Sequence, residues 1–275
     1  MFKLIKNSFI MTNDCIILAT PLIIFLSLLG WYFDYAANTV DNAPKLILAA
    51  ATLLVMTSGF ASAWLYMVKK TISLSKKIFI FEKERVKALW YLLASLPKGI
   101  GRLFLPIIGV IAIYLLIYLL MFSGINIIIS KIAGSINLDS FSLQTIMISS
   151  KELINEVNEL TDDEIIIINY WYLLTFIGSS IISFITLLWI PEIVYNEKNC
   201  FKALFNSIKK VFIDFKNSIT LFCYIAAIIL LLTILNTFLM YSPMLYFFVL
   251  LFYYYFLVYI IVLLFTYYDT TYIKA

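Results

Sequence analysis

Histidine does not occur anywhere in the 275 residues. Its absence removes the commonest general base and metal ligand and the usual pH switch. Three cysteines, Cys15, Cys200 and Cys223, are too scattered for zinc-ligand spacing and imply no disulfide framework. No P-loop, dinucleotide-binding glycine fingerprint or nucleophile elbow is found. Charge is scarce too: 13% of residues, against roughly a quarter in a soluble domain. These absences argue against an enzyme, a metal centre and a bound cofactor.

What fills the chain instead is apolar. Apolar residues make up 63% of it, and mean hydropathy is +0.99. Six stretches long enough to cross about 30 Å of hydrocarbon as helix recur, at about 15–33, 46–68, 103–126, 167–190, 217–240 and 244–268. The expected fold is all-α: a polytopic integral membrane protein with six transmembrane helices, read as a single membrane domain over 1–275. Lys3 and Lys6 before an apolar run resemble the start of a signal peptide. That run continues to Phe33 without a small-x-small cleavage site, so an uncleaved first span is expected.

Basic residues divide unevenly between alternate tails and loops. Lys3 and Lys6, nine Lys or Arg in 69–102, five in 191–216 and Lys274 fall on one side, seventeen in all. The other side has Lys45, Lys131 and Lys151. The positive-inside rule then predicts that both termini are cytoplasmic and that 130–166 is extracytoplasmic, in a bacterial inner membrane. Residues 130–166 carry seven acids against two bases. A solvated acidic face is the expectation there and a cation site the alternative. Ser149 with Glu152, and Thr161 with Glu164, fit capping boxes, the second opening the fourth span.

Interfacial helices are predicted at about 2–12, 82–97 and 199–216. In the first, Phe2, Ile5 and Phe9 share a face. In the second, Val86, Leu89, Trp90, Leu93 and Leu96 do so, before Pro97, Gly99 and Gly101 break the helix. In the third, Pro191 bends the chain out of the fourth span, with Trp189 and Tyr195 as aromatic anchors. Phe201, Leu204, Phe205, Ile208, Val211 and Phe212 then face the spans and acyl chains, opposite Lys202, Lys209 and Lys210. Each such helix precedes two spans, which suggests a threefold repeat. Pro21 is expected to kink the first span. Ser58/Ser62, Gly59/Ala63 and Ser179/Ser183 are small pairs that would let spans two and four pack centrally, although such pairs also arise by chance.

Candidate lipid-contact residues at the interface are Lys202, Lys209, Lys210, Trp189 and Glu192. Glu192 either faces protein, with Arg102 or a loop lysine as partner, or faces water, which is the expectation. Asn236, Tyr255 and Tyr259 form a candidate polar face inside the membrane, joined by Thr233 and Thr266. That face either lines a pocket or supplies interhelical hydrogen bonds.

Small-residue-rich spans, then W-x-P-E at Trp189–Glu192, then K-A-L-x-x-S at Lys202–Ser207 together resemble a known pattern. It is that of the six-span membrane domain of bacterial glycerophosphodiester phosphodiesterases and its stand-alone relatives of unknown function. The resemblance implies six helices with cytoplasmic surface helices. It implies no phosphodiesterase activity, because a soluble catalytic domain is missing. The expected role is a non-enzymatic membrane protein that organises or assists a membrane process. Membrane lipids and other membrane proteins are the expected partners, with no cofactor and no nucleic acid. A transporter, or a transporter's membrane subunit, is the alternative.

Overall fold

A computed structural model describes residues 1–14, 18–75, 90–132, 162–239 and 243–273. Among them there is no strand. The helices are α1 (Phe2–Asp14), α2 (Ala19–Thr39), α3 (Ala43–Ser75), α4 (Leu96–Ile132), α5 (Asp162–Ile185), α6 (Trp189–Tyr195), α7 (Cys200–Ile213), α8 (Phe215–Leu239) and α9 (Pro243–Tyr268), which runs into a π-helical turn, Asp269–Ile273. Six segments are long and apolar enough to cross a membrane, each containing most of one predicted span. Large apolar side chains stand bare along them, among them Leu28, Ile47, Leu116, Leu119, Phe176 and Leu230. Such a surface would be a liability in water and is what lipid requires. The chain is an all-α polytopic membrane protein.

Two compact units divide the chain, residues 1–111 with 184–275 and residues 112–183. In the second, the end of α4 pairs with α5. Phe122 stacks on Trp171 at 5.5 Å, and the Trp171 indole donates to Asn126 Oδ1 at 3.0 Å. Ile125, Ile129 and Ile167 close a small core there.

The hub of the first unit is α9, which packs against α1, α2, α3, α6 and α8. Val258, Tyr259, Val262, Leu263, Phe265 and Tyr268 are all but fully buried along it. A helix apolar on every side is one that neighbours can surround. Within this unit the small-residue span α3 packs against the hub and does not form it. Spans gain nothing by hiding leucine from lipid, so close packing and hydrogen bonds decide the hub. The tyrosines of α9 supply both. The small residues of α3 do bring helices close: a Cβ on Gly99 would lie 2.8 Å from the Ser62 carbonyl oxygen and 2.9 Å from Ala63 Cα.

Pro106 lies inside α4, whereas several other prolines mark helix starts. Pro21 and Pro97 occupy the first turns of α2 and α4, where a missing N–H is tolerated; Pro21 does not kink α2, and the break expected before the third span lies at residues 94–95, just ahead of Pro97. Gly99 and Gly101 likewise lie inside α4. Pro191 sits in the first turn of α6, and the helical break lies upstream, in the turn 186–188. A proline at 191 cannot bond the Leu187 carbonyl and clashes with it, which displaces the break by one turn. The first half of the predicted helix 82–97 and most of the acidic loop, with both capping-box serine and threonine, lie outside the described residues.

Both remaining surface helices form and pack on the bundle, α1 chiefly on α9 and α7 on α6 and α8. No phenylalanine of either helix is buried, although Phe9 of α1 meets Tyr255 and Tyr259 edge-on at 5.9 and 6.0 Å and Phe212 of α7 stacks on Phe215 at 6.4 Å. On α1 the fully buried positions are Ser8 and Thr12, while Phe2 is exposed and Phe9 half-exposed. On α7 they are Ala203, Ser207 and Val211, whereas Phe201, Phe205 and Phe212 are 61%, 69% and 55% exposed. Of the predicted inward face of α7, Val211 is buried and Leu204 and Ile208 are half-buried, while its three phenylalanines are exposed. Small side chains let the helix axis come close, and aromatic ones would hold it off.

Candidate functional site

The densest polar cluster lies where α6, α7 and the end of α9 meet. Asn199 caps α7, its side-chain oxygen accepting from the N–H groups of Phe201 and Lys202 at 3.1 and 3.2 Å. That cap fixes the helix phase, and with it Lys210 points inward. Lys210 Nζ lies 2.6 Å from Glu192 Oε2 and donates to the Tyr268 hydroxyl at 2.5 Å. Tyr268 donates to Glu192 Oε2 and accepts from Asn196 Nδ2 at 2.6 Å. Glu192 is 1% exposed.

Aromatic rings enclose the pair. Tyr195 stacks on Tyr268 at 5.5 Å, and the Tyr272 hydroxyl donates to the Lys210 carbonyl at 3.0 Å. Tyr267 donates to Asp214 Oδ2 at 2.8 Å, at the α7–α8 corner. On the far side of Tyr195, Lys69 Nζ sits 4.7 Å from the ring centre and donates to the Val194 carbonyl at 2.7 Å. A carboxylate and an ammonium are costly to bury, and this geometry offsets the cost by giving each several charge-assisted bonds. Chemically, the arrangement is a latch that ties α7 to α6 and α9.

Three candidate residues change roles here. Glu192 faces protein, not water, and its partner is Lys210 in place of Arg102. Lys210 is thereby withdrawn from the lipid-contact set. Trp189 is fully buried, its indole donating to the Cys200 carbonyl at 3.0 Å, so it anchors α6 to α7 and forms no aromatic belt. Lys202 and Lys209 remain exposed, as a lipid-facing role requires. Cys200 packs against α4: its thiol donates to the Pro106 carbonyl at 3.1 Å, and Gly109 leaves it room. Burial pushes that thiol above its ordinary range.

The intramembrane candidates resolve into helix-to-helix bonds. The Tyr255 hydroxyl donates to Asn13 Oδ1 at 2.6 Å, and Tyr259 bonds the Tyr224 hydroxyl at 3.0 Å. Thr266 meets Met11, and Thr233 bonds the Ile229 carbonyl of its own helix. The face of α9 that looked free is covered by α1. The Asn236 side chain lies outside the described residues. Sequence reading missed Tyr268, Asn196 and Lys69, and the signal for Tyr268 was a tyrosine directly before a lone acid, Asp269, at the end of a span.

No protein-family model matches the chain, and comparison with curated proteins and with solved structures returns no match. The likeness noted at Trp189–Ser207 therefore rests on those residues.

Proposed function

We propose that this is a non-enzymatic multi-pass protein of the bacterial cytoplasmic membrane, organising or assisting a membrane process through lipid or protein partners. The observation that carries the reading is α7: latched to the bundle on one side, it offers Phe201, Phe205 and Phe212 outward beside exposed Lys202 and Lys209. Phenylalanine flanked by lysine suits the boundary between acyl chains and anionic headgroups. The division of basic residues supports cytoplasmic termini. Contacts that join Lys69 to Val194, Tyr268 to Glu192 and Met1 to the core around Tyr268 support one shared side for the tails and basic loops.

Nitroxides at 201, 205, 202 and 209 in vesicles containing anionic lipid test it. Positions 201 and 205 should relax with oxygen, which partitions into lipid, and 202 and 209 with a water-soluble relaxer. Aqueous accessibility at all four would sink the reading. The transporter alternative draws on one observation, the ionisable pair held beneath the spans. Copurification in mild detergent separates the two. A stable complex with an ATPase or a solute-binding protein favours transport; lipids or envelope enzymes favour the first reading.

A further inference from the structure

Lys69, Lys70 and Arg102 converge where the end of α3 meets the start of α4. Lys70 Nζ lies 5.8 Å from the ring centres of both Tyr66 and Tyr91, and the Arg102 guanidinium 5.9 Å from that of Tyr66. Lys69 feels the field of both cations and of Asp269. It is already engaged by the Val194 carbonyl and Tyr195. Lys70 and Arg102 have no carboxylate partner among the described residues. The contact of Gly99 with Ser62 and Ala63 holds α3 against α4 at this point, which keeps the backbones that carry the two cations side by side. Packing holds together charges that repel one another, and an anion between them would relieve the repulsion.

Depth and surroundings say which anion. From Lys45 to Lys69 is 24 residues of continuous helix, about 36 Å, just more than the ~30 Å hydrocarbon layer. With Lys45 at one surface, Lys69 and Lys70 stand at headgroup depth on the other. Leu105, one turn beyond Arg102 on the same side of α4, is 77% exposed, bare apolar surface beside the charge. A soluble anion has no use for that flank, while an acyl chain does.

We propose that Lys70 and Arg102, brought together over Tyr66, bind the phosphate of an anionic phospholipid whose acyl chain lies along Leu105. This deepens the lipid-partner reading above and rests on it, but the site is separate from α7. The test is purification of the full chain in mild detergent, followed by titration with phosphatidylglycerol, phosphatidylcholine and inorganic phosphate by native mass spectrometry. Wild-type protein should prefer phosphatidylglycerol, and K70Q/R102Q should weaken it about tenfold or more, the worth of one charge-assisted bond. Charge-conserving K70R/R102K should keep the preference, which covers the case that the neutral pair fails to fold. K202Q/K209Q removes equal charge from α7 and should leave the affinity alone. Equal loss in that control, no preference over phosphatidylcholine, or displacement of the lipid by inorganic phosphate would each overturn the proposal. Nitroxide depth at 205 should not change in K70Q/R102Q, so the site and the α7 reading can fail independently.

Discussion

Lys210 and Glu192, eighteen residues apart, meet at 2.6 Å with the Tyr268 hydroxyl bonded to both. The pair turns one surface helix into a fixed part of the bundle. Facing water, as the sequence suggested, Glu192 would tolerate alanine; buried against Lys210 it would not. Removing one partner leaves the other charged, enclosed and unpaired.

Glu192→Ala or Lys210→Ala should each cost about 3–5 kcal/mol. Loss of monodisperse protein after a heating series in detergent would measure it. The double replacement Glu192→Leu with Lys210→Met should recover most of the loss, since no orphan charge remains. Asp34, exposed on α2, makes the comparison: Asp34→Ala should stay within about 0.5 kcal/mol of wild type. Equal effects at 192 and 34 would dismiss the latch.

The six spans were legible because twenty apolar residues in a row mean one thing in any context. The phase of the surface helices was not. Periodicity in 201–212 shows an apolar stripe, yet it cannot say whether protein or lipid covers that stripe. Ala203 and Ser207 carry the answer, and they are too small to register as a stripe. The acid's partner was hidden for a related reason. Lys210 lies on the same helix as the lipid-facing lysines, and the turn of about 100° per residue carries it from the side of Lys209 toward Glu192.

Close approach at the α3–α4 crossing predicts a sharp contrast between two glycines. Gly99→Ala would drive a methyl against the Ser62 carbonyl and Ala63 backbone, neither of which can swing aside. We expect a loss of about 1–3 kcal/mol. Gly30 in α2 has nothing within 4 Å of the same methyl, so Gly30→Ala should be neutral or gain up to about 1 kcal/mol. Thermal stability in one detergent suffices for both. A harmless Gly99→Ala would mean the crossing is looser than described.

Sidedness is open to chemical labelling. With the native cysteines replaced, single cysteines at 139–160 should react with an impermeant thiol reagent on intact cells, and those at 76–98 only after lysis. The uneven distribution of lysine and arginine motivates this expectation. Reaction of 76–98 on intact cells would reverse the orientation and with it the cytoplasmic assignment of the latch.

The two faces of α7 predict opposite responses to changes of opposite size. Ala203 is fully buried against the bundle, so Ala203→Leu must push α7 outward or distort its neighbours, at about 1–3 kcal/mol or more. It should also strain the Glu192–Lys210 contact, since both side chains depend on that distance between helices. Phe205 is 69% exposed and removes little from the folded core, so Phe205→Ala should shift stability in detergent by only about 0.5 kcal/mol. Melting of the two variants side by side gives the answer. If Phe205→Ala were the more damaging, the aromatic stripe would be packed on protein after all, and the outward face offered to lipid would not exist.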